Sequence, residues 1–432
     1  MHNILILHCY HSEFPPRSTS YDWLYSFYRY GEHRCFYLNL FYSDIPWYFT
    51  YIEWDLIIFT DLLLMERWNP AGFNKIIKKL LPLKKYNVPK AIIPQDEFIY
   101  TDILCDVINQ FDINYVFSCA KESEWKKIYN KVDFKKVKFF TVLTGYLEDK
   151  RVKKIRKLSN KIINRDIDIG YRSKTISPSL GRHGVLKSDI AEIFEKQAKL
   201  KGLKSDISLR NEDIFLGDSW YQFLLRCKYI IGIEGGASIL DRDGTFFKAT
   251  KEYFILHLNA TFEEVEANCF PNQDGYLQLF AISPRNLEAC ATKTCQILIE
   301  GRYNGILEPG KHYIELKKDL SNLNDVMEIV RDDKMRKAIS ESAYHDIVDS
   351  GLYSYRSFVK LVFDNSLNSK NKTSIHLEVW YLICYMHCLV KEKISWIRLA
   401  FSVKYWKPFK TSLPGGLKTK IKGLLKKIKC AE

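Results

Sequence analysis

Six short apolar runs open this chain, and they limit what it can fold into. They are ILILHCY (4–10), CFYLNLF (35–41), DLIIFTDLL (55–63), KAIIPQ (90–95), YVFSCA (115–120) and VKFFTVLTG (137–145). None shows the strict apolar–polar alternation of a strand with one wet face, so both faces are expected to be covered. Between them lie FNKIIKKLLPLKKY and DILCDVINQF, whose apolar positions recur every three or four residues. Buried strands separated by helices predict a parallel sheet with helices on both sides.

A charged stretch, LEDKRVKKIRKLSNKIINRD (147–166), reads as a surface helix and linker. The pattern then resumes with DIDIGYR (166–172), the helical LKSDIAEIFEKQAKL (186–200), DSWYQFLLRCKYIIGIE (218–234), the apolar run EYFILHL (252–258) and HYIEL (312–316). A helical region, NLNDVMEIVRDDKMRKAISESAYHDIVDS (322–350), closes this unit. At 432 residues the chain exceeds one ordinary core. The expectation is an α/β protein with two facing Rossmann-like domains, 1–150 and 165–365, and a cleft at the carboxyl ends of their strands.

Composition narrows the class. Hydrophobic residues make up 47% and prolines number only 13, which excludes a disordered chain. The eleven cysteines have no CxxC pair and no spaced histidine partners, so reduced thiols are expected rather than disulfides or zinc. The start, MHNILILHCYHSEF, lacks a basic leader and a small-residue cleavage site and reads as a buried first strand. Charge is concentrated at one end. Residues 370–432 hold 14 Lys/Arg against three acids, a net of +11 in a chain whose total is +14. Within that segment, LKTKIKGLLKKIK places apolar positions 417, 421, 424, 425 and 428 on one helical face and lysines on the other. This predicts a helical basic tail that lies on an anionic membrane surface. An apolar stripe has no role on a phosphate backbone, so no nucleic acid is expected. The stretch HLEVWYLICYMHCLV (376–390) is too short to span a bilayer and reads as a core helix or an in-plane anchor.

One segment is specific enough to suggest a family. SPRNLEACATKTCQIL (283–298) reads as a Pro-initiated helix with Glu288-Ala289, a turn and a strand. It resembles the glutamate motif of group 1 glycosyltransferases, which have two Rossmann domains in the GT-B architecture. EGRYNGILEPGKHYIELKKDLSNLNDVMEIVRDD (300–333) resembles their closing block. EGGASILDRDG (234–244) is similar to a segment of bacterial surface-polysaccharide transferases. The resemblance covers roughly 165–365. It implies a nucleotide-sugar donor, a glycan or glycolipid acceptor in surface-polysaccharide synthesis, such as lipopolysaccharide O-antigen or capsule, and a cytoplasmic enzyme peripheral on the inner face of the cell membrane.

The resemblance assigns roles within the second domain. Glu288, expected at a helix mouth, would accept hydrogen bonds from ribose hydroxyls, with Lys293 and, less directly, Thr292 and Thr294 nearby. Arg172 and Lys187 would neutralise the diphosphate, whose charge grows as it departs. Glu234 would face the sugar, Gly235 and Gly236 would let the backbone approach the donor closely, and Ser238 would join them in donor binding. In the first domain Asp96 and Glu97 follow a buried strand, and either could take the acceptor's proton if the reaction inverts. A retaining enzyme needs no such base. His8 and His11 are poorer candidates. Asp241 and Asp243 have Asp-x-Asp spacing, which can hold a divalent metal, but with Arg and Lys available none is expected, nor any other cofactor. The rival readings are a dinucleotide-dependent Rossmann enzyme, which lacks a GxGxxG after the first strand, and a non-catalytic glycan- or nucleic-acid-binding protein on a decayed transferase scaffold.

Overall fold

The computed structural model describes residues 1–11, 16–162, 164–368 and 375–406. The first sheet contains β1 (Asn3–His8), β2 (Arg34–Asn39), β3 (Leu56–Phe59), β4 (Lys90–Ile92), β5 (Tyr115–Ser118) and β6 (Lys138–Thr141). Its order is β2-β1-β3-β4-β5-β6, with every pairing parallel. All residues of β1, β2 and β3 are buried, as their continuous apolar runs require. The helices of this half are α1 (Ser18–Tyr30), α2 (Asp61–Leu64), α3 (Pro70–Leu80), α4 (Thr101–Gln110), α5 (Glu122–Ile128) and α6 (Asp149–Ser159).

The second sheet contains β7 (Ile167–Arg172), β8 (Ser205–Ser208), β9 (Cys227–Gly232), β12 (Cys295–Ile299) and β13 (Ile314–Leu316), in the order β13-β12-β9-β7-β8, again all parallel. Its helices are α7 (Arg182–Leu200), α8 (Asp218–Arg226), α9 (Thr245–Leu256), α10 (Phe262–Cys269), α11 (Pro284–Ala291), α12 (Leu323–Ile329) and α13 (Asp333–Ala343). A small antiparallel pair, β10 (Gly235–Ala237) with β11 (Leu279–Ala281), stands apart from both sheets. The chain is therefore an α/β protein of two Rossmann-like domains, the GT-B layout.

Two stretches differ from the sequence reading. The apolar run 252–258 is not a strand: most of it belongs to α9, and Ile255, Leu256 and Leu258 are exposed. The C-terminal segments are also placed differently: α14 (Tyr355–Ser366), expected in the second domain, packs on α1, and α15 (Ile375–Phe401), expected in the tail, packs on β2, so both return to the first domain. The amphipathic stretch 417–428 lies outside the described residues.

The domains are joined by backbone as well as by side chains. Tyr100 N–H donates to the Asp241 carbonyl at 2.8 Å, Asp241 N–H to the Phe98 carbonyl at 2.7 Å, and Asp102 N–H to the Arg242 carbonyl at 3.1 Å. Ala237, Leu240, Leu277 and Leu279 enter the hydrophobic core of the first domain. Lys127 and Glu124 of α5 meet the Tyr276 carbonyl and Gln278 N–H.

Helix α15 is fixed by a buried polar cluster. Glu392 accepts from Tyr25 O–H at 2.5 Å and Trp396 Nε1–H at 3.0 Å, and lies 3.1 Å from His8 Nε2. Burial raises the Glu392 carboxyl, but His8 and the three hydrogen bonds outweigh it and hold the group below its ordinary range. A carboxyl depressed on folding contributes stability that is present above the unfolded value, near pH 4.5, and lost as pH falls through the folded value. Glu392→Gln should cost about 3 kcal/mol at pH 7, because one partner of a buried cluster is removed. Denaturant unfolding of both proteins across pH 3–7 should show the gap narrowing in acid. No gap at pH 7 would exclude the cluster as the anchor of α15.

Candidate functional site

A cavity of about 340 Å³ opens at the carboxyl ends of β7 and β9. The sheet order reverses between these two strands, because the chain runs outward from β7 to β8 and then returns to place β9 on β7's other side. Ligands bind at such switch points in open α/β sheets, since the connections leave on opposite faces and open a crevice. The lining includes Tyr171 to Lys174 after β7, Ile230 to Gly232 of β9, Lys187 from α7, Trp220 from α8, and Ser283 and Arg285 at the start of α11.

Local sequence explains the placement of α11. Ser283 is its N-cap and Pro284 its first residue, where a missing N–H costs nothing. The Asn286 side-chain oxygen accepts from Ser283 N–H and Oγ–H, both at 3.0 Å, and fixes the turn. Arg285 therefore projects at the cavity mouth. Its guanidinium donates to the Arg172 carbonyl and lies 5.6 Å from the Trp220 ring. Among the described residues Arg285 has no carboxylate partner.

Lys187 is the second cation. Its carbonyl accepts from Tyr171 O–H at 3.0 Å, which ties this turn of α7 to the end of β7. Burial above all, together with Arg285 and against an opposing pull from Asp96, lowers the Lys187 ammonium to about 8. No described residue makes a salt bridge or hydrogen bond to it. Two nearby positive groups, one of them desolvated, form a site that an anion would complete.

Asp96 reaches this region from the other domain. The loop after β4 is held by Arg67, which is fully buried and donates to the carbonyls of Leu64, Gln95, Asp96 and Ile99. Asp96 sits at φ 52°, a backbone conformation Asp tolerates better than most residues. Burial raises its carboxyl, while the charges of Arg67 and Lys187 pull it down.

The other candidates lie elsewhere. Glu97 turns into the first domain, where it accepts from Ser118 Oγ at 2.5 Å, Cys119 N–H at 2.7 Å and Tyr129 O–H. Arg172 lines the cavity, but its guanidinium is committed. It donates to the carbonyls of Asp213, Tyr171 and Asp206 and to Asp206 Oδ1 at 2.6 Å, and it packs against the Phe215 and Phe223 rings. Glu234 accepts from Arg302 and Tyr303 N–H groups at 3.3 and 2.7 Å and supports the loop after β12. Gly235 lines the cavity. Gly236 is needed for a different reason: at φ 111° a Cβ would lie 1.7 Å from the Leu279 carbonyl oxygen, inside the β10–β11 pair. Ser238 donates to Asp274 at 2.6 Å beside the start of α7.

Glu288 is not at the helix mouth. It lies in the second turn of α11, with its carboxylate bonded to Trp220 Nε1–H at 2.8 Å and Tyr221 O–H at 3.4 Å. Burial raises it to about 7. It faces a small interdomain pocket lined also by Asp22, Arg151 and Tyr355, and the Trp220 indole that it holds lines the cation-bearing cavity. Lys293 is remote, paired with Glu341 at 2.7 Å and over the Tyr344 ring on another face. Thr292 and Thr294 bond to each other and to nearby carbonyls at the end of α11. Asp241 accepts from Gly244 and Phe247 N–H groups and Asp243 from Thr245 N–H, so this pair shapes the start of α9. Among the described residues no group of His, Cys, Asp and Glu could hold a metal ion. His8 is used by Glu392, and His11 lies 3.4 Å from Glu66.

Arg285 is the residue that sequence reasoning passed over. Its signal was present, a cation two positions into a Pro-initiated helix beside the strand ends.

No protein-family model matches the chain, and no curated protein matches it. Among solved structures it is similar to TarM, at 14% identity over 73% of this chain with a TM-score of 0.38, and it spans about half of TarM's length (55%). It is similar to Anabaena HepE solved with UDP-glucose, at 11% identity over 84% of this chain and 98% of HepE, TM-score 0.43. It is also similar to sucrose-phosphate synthase from Thermosynechococcus elongatus, at 9% identity over 84% of this chain and 98% of that one, TM-score 0.48.

Proposed function

We propose that this chain is a glycosyltransferase that takes a sugar from a nucleotide-sugar donor. The carrying observation is the pair of cations, Lys187 and Arg285, which make no salt bridge among the described residues and line a cavity at the switch point of a parallel sheet. A diphosphate fits this chemistry: Arg285 offers a planar fork of donors, Lys187 a point charge, and both gain as the departing diphosphate accumulates charge. Arg172 acts one step back by fixing Arg285 through its carbonyl. Trp220 offers an apolar wall whose orientation is held by Glu288.

The acceptor enters from the first domain, where Asp96 takes the proton of its hydroxyl group. The acceptor is a growing, lipid-linked surface glycan, reached by an enzyme whose basic tail rests on the inner face of the cell membrane. Charge neutralisation by Arg285 and Lys187 leaves the reaction independent of a divalent metal.

The test is a thermal-shift and turnover screen against UDP-, GDP-, dTDP- and CMP-sugars with and without EDTA. One nucleotide should raise the melting temperature of the wild type in EDTA, and the shift should disappear in Arg285→Ala and Lys187→Ala. Retention of the full shift in both variants would remove the donor from this cavity. Asp96→Asn should keep the donor shift and lose turnover by roughly 100-fold, the usual scale of a lost general base. Unchanged turnover would exclude the role.

The pH dependence follows from Lys187, whose ammonium is lowered to about 8. Below that value it is already charged and donor affinity is flat. Above it, binding must take up a proton, so affinity should fall about tenfold per pH unit until the bound-state value is reached. Titration of donor affinity from pH 6.5 to 9.5 reads this directly, and a flat profile in the wild type would contradict it.

A further inference from the structure

Helix α15 is two-faced. Tyr381, Cys384, Cys388, Glu392 and Leu399 are buried against the first domain. On the other side Val379, Ile383, Met386, Val390, Ile397 and Phe401 are each between 51 and 67% exposed. At 100° per residue these six fall within about 60° of arc, and they run for about 33 Å at 1.5 Å per residue. A continuous apolar stripe of this length is unusual on a surface that meets only water.

Along α15 the exposed charge has one sign, and the exposed Asp44, in the loop between Phe41 and Trp47, is paired with Lys79. The two carboxylates of α15 are both engaged, Glu378 with Arg34 and Glu392 with His8. Lys393 and Arg398 are exposed beside the stripe, and Lys404 follows it. The loop that touches the helix adds aromatics. The Tyr48 ring lies 5.1 Å from His387, and Tyr48 packs on Trp47, which is 72% exposed. Arg398 lies against the Tyr42 carbonyl, next to the exposed Phe41. No helix among the described residues is long and apolar enough to cross a membrane.

We propose that the exposed face of α15, with Phe41 and Trp47 beside it, is a docking surface for an anionic lipid bilayer. The apolar stripe enters the boundary between headgroups and acyl chains, the aromatics sit at headgroup level, and Lys393, Arg398 and Lys404 meet the lipid phosphates. The 26 residues after Trp406 carry eight lysines and one acid, which adds charge of the same sign at the same end. The surface is distinct from the lysine-rich stretch 417–428 and does not depend on the transferase reading.

The experiment is co-sedimentation of the full chain with phosphatidylcholine vesicles, with and without phosphatidylglycerol. The wild type should partition onto the anionic vesicles alone, and the double variant Ile383→Glu/Ile397→Glu should lose about tenfold or more of that partitioning while its melting temperature is kept. Leu256→Glu, at an equally exposed apolar residue of the second domain, should bind as the wild type does. Full binding by the α15 variant would overturn the proposal, including the case in which only Lys426→Glu/Lys427→Glu in the tail removes binding. Sedimentation equilibrium covers the other occupant: a wild-type dimer that the α15 variant converts to monomer, with vesicle binding unchanged, would show the face to be a contact between copies and overturn it as well.

Discussion

The geometry of the cleft depends on a short backbone ladder between the domains. Residues 98–102 of the first domain exchange three hydrogen bonds with 241–242 of the second. The ladder is held from below by a glycine: a Cβ on Gly244 would lie 2.1 Å from the Tyr100 ring, and Gly244 itself has φ 83°. Tyr100 and Asp96 both adopt φ near 50° in the same loop. The turn of this loop separates two adjacent carboxylates: Glu97 goes inside its own domain, bonded to Ser118 and Cys119, and Asp96 does not share those partners. The Asp241–Asp243 pair belongs to this joint, since its oxygens shape the start of α9 while its backbone binds the other domain.

Of the cations that line the cavity, Arg172, Lys187 and Arg285 are separated by their partners. Arg172 spends most of its donors on carbonyls and Asp206 and packs against two rings, an arrangement that makes it a rigid support. Lys293 is paired on another face. Lys187 and Arg285 retain their charge for something else. A desolvated ammonium beside a guanidinium is unfavourable by itself, and its persistence at a sheet's switch point is an argument for an anionic ligand rather than for stability.

Much of the architecture was legible in the residues. Apolar runs marked β1 to β6, β9 and β12, and the mixed segments DIDIGYR and HYIEL marked β7 and β13; covered strands need no polar alternation, although β6, at the sheet's edge, stays partly exposed. Edge strand β8, SDIS, has no apolar run and stays partly exposed, so it carried no signal. The β10–β11 pair is three residues long on each side, below the length at which a pattern forms. At the site, residue types were readable but directions were not. Asp96 and Glu97 are adjacent carboxylates that one backbone turn sends to opposite fates. Arg172 and Arg285 share a neighbourhood, and only the carbonyls and rings around the first determine which of them is free. Glu288 was expected at a helix mouth because Pro284 marks a start, yet four residues beyond that proline a side chain faces sideways from the second turn.

Helix α15 links these parts in one mechanical unit. Its buried side carries Glu392 to His8, the last residue of β1, so the helix is tied to the carboxyl end of the sheet's second strand, the end at which ligands approach such sheets. Its outer side is apolar and basic. A helix held only by apolar packing could slide or rotate on β2 with small changes in energy. The Glu392 cluster sets its rotation, because a turn of even one residue would leave a buried carboxylate and histidine without each other. The rotation that satisfies this cluster also brings Val379, Ile383, Met386, Val390, Ile397 and Phe401 to the outside. The polar cluster inside thus specifies which surface the protein presents.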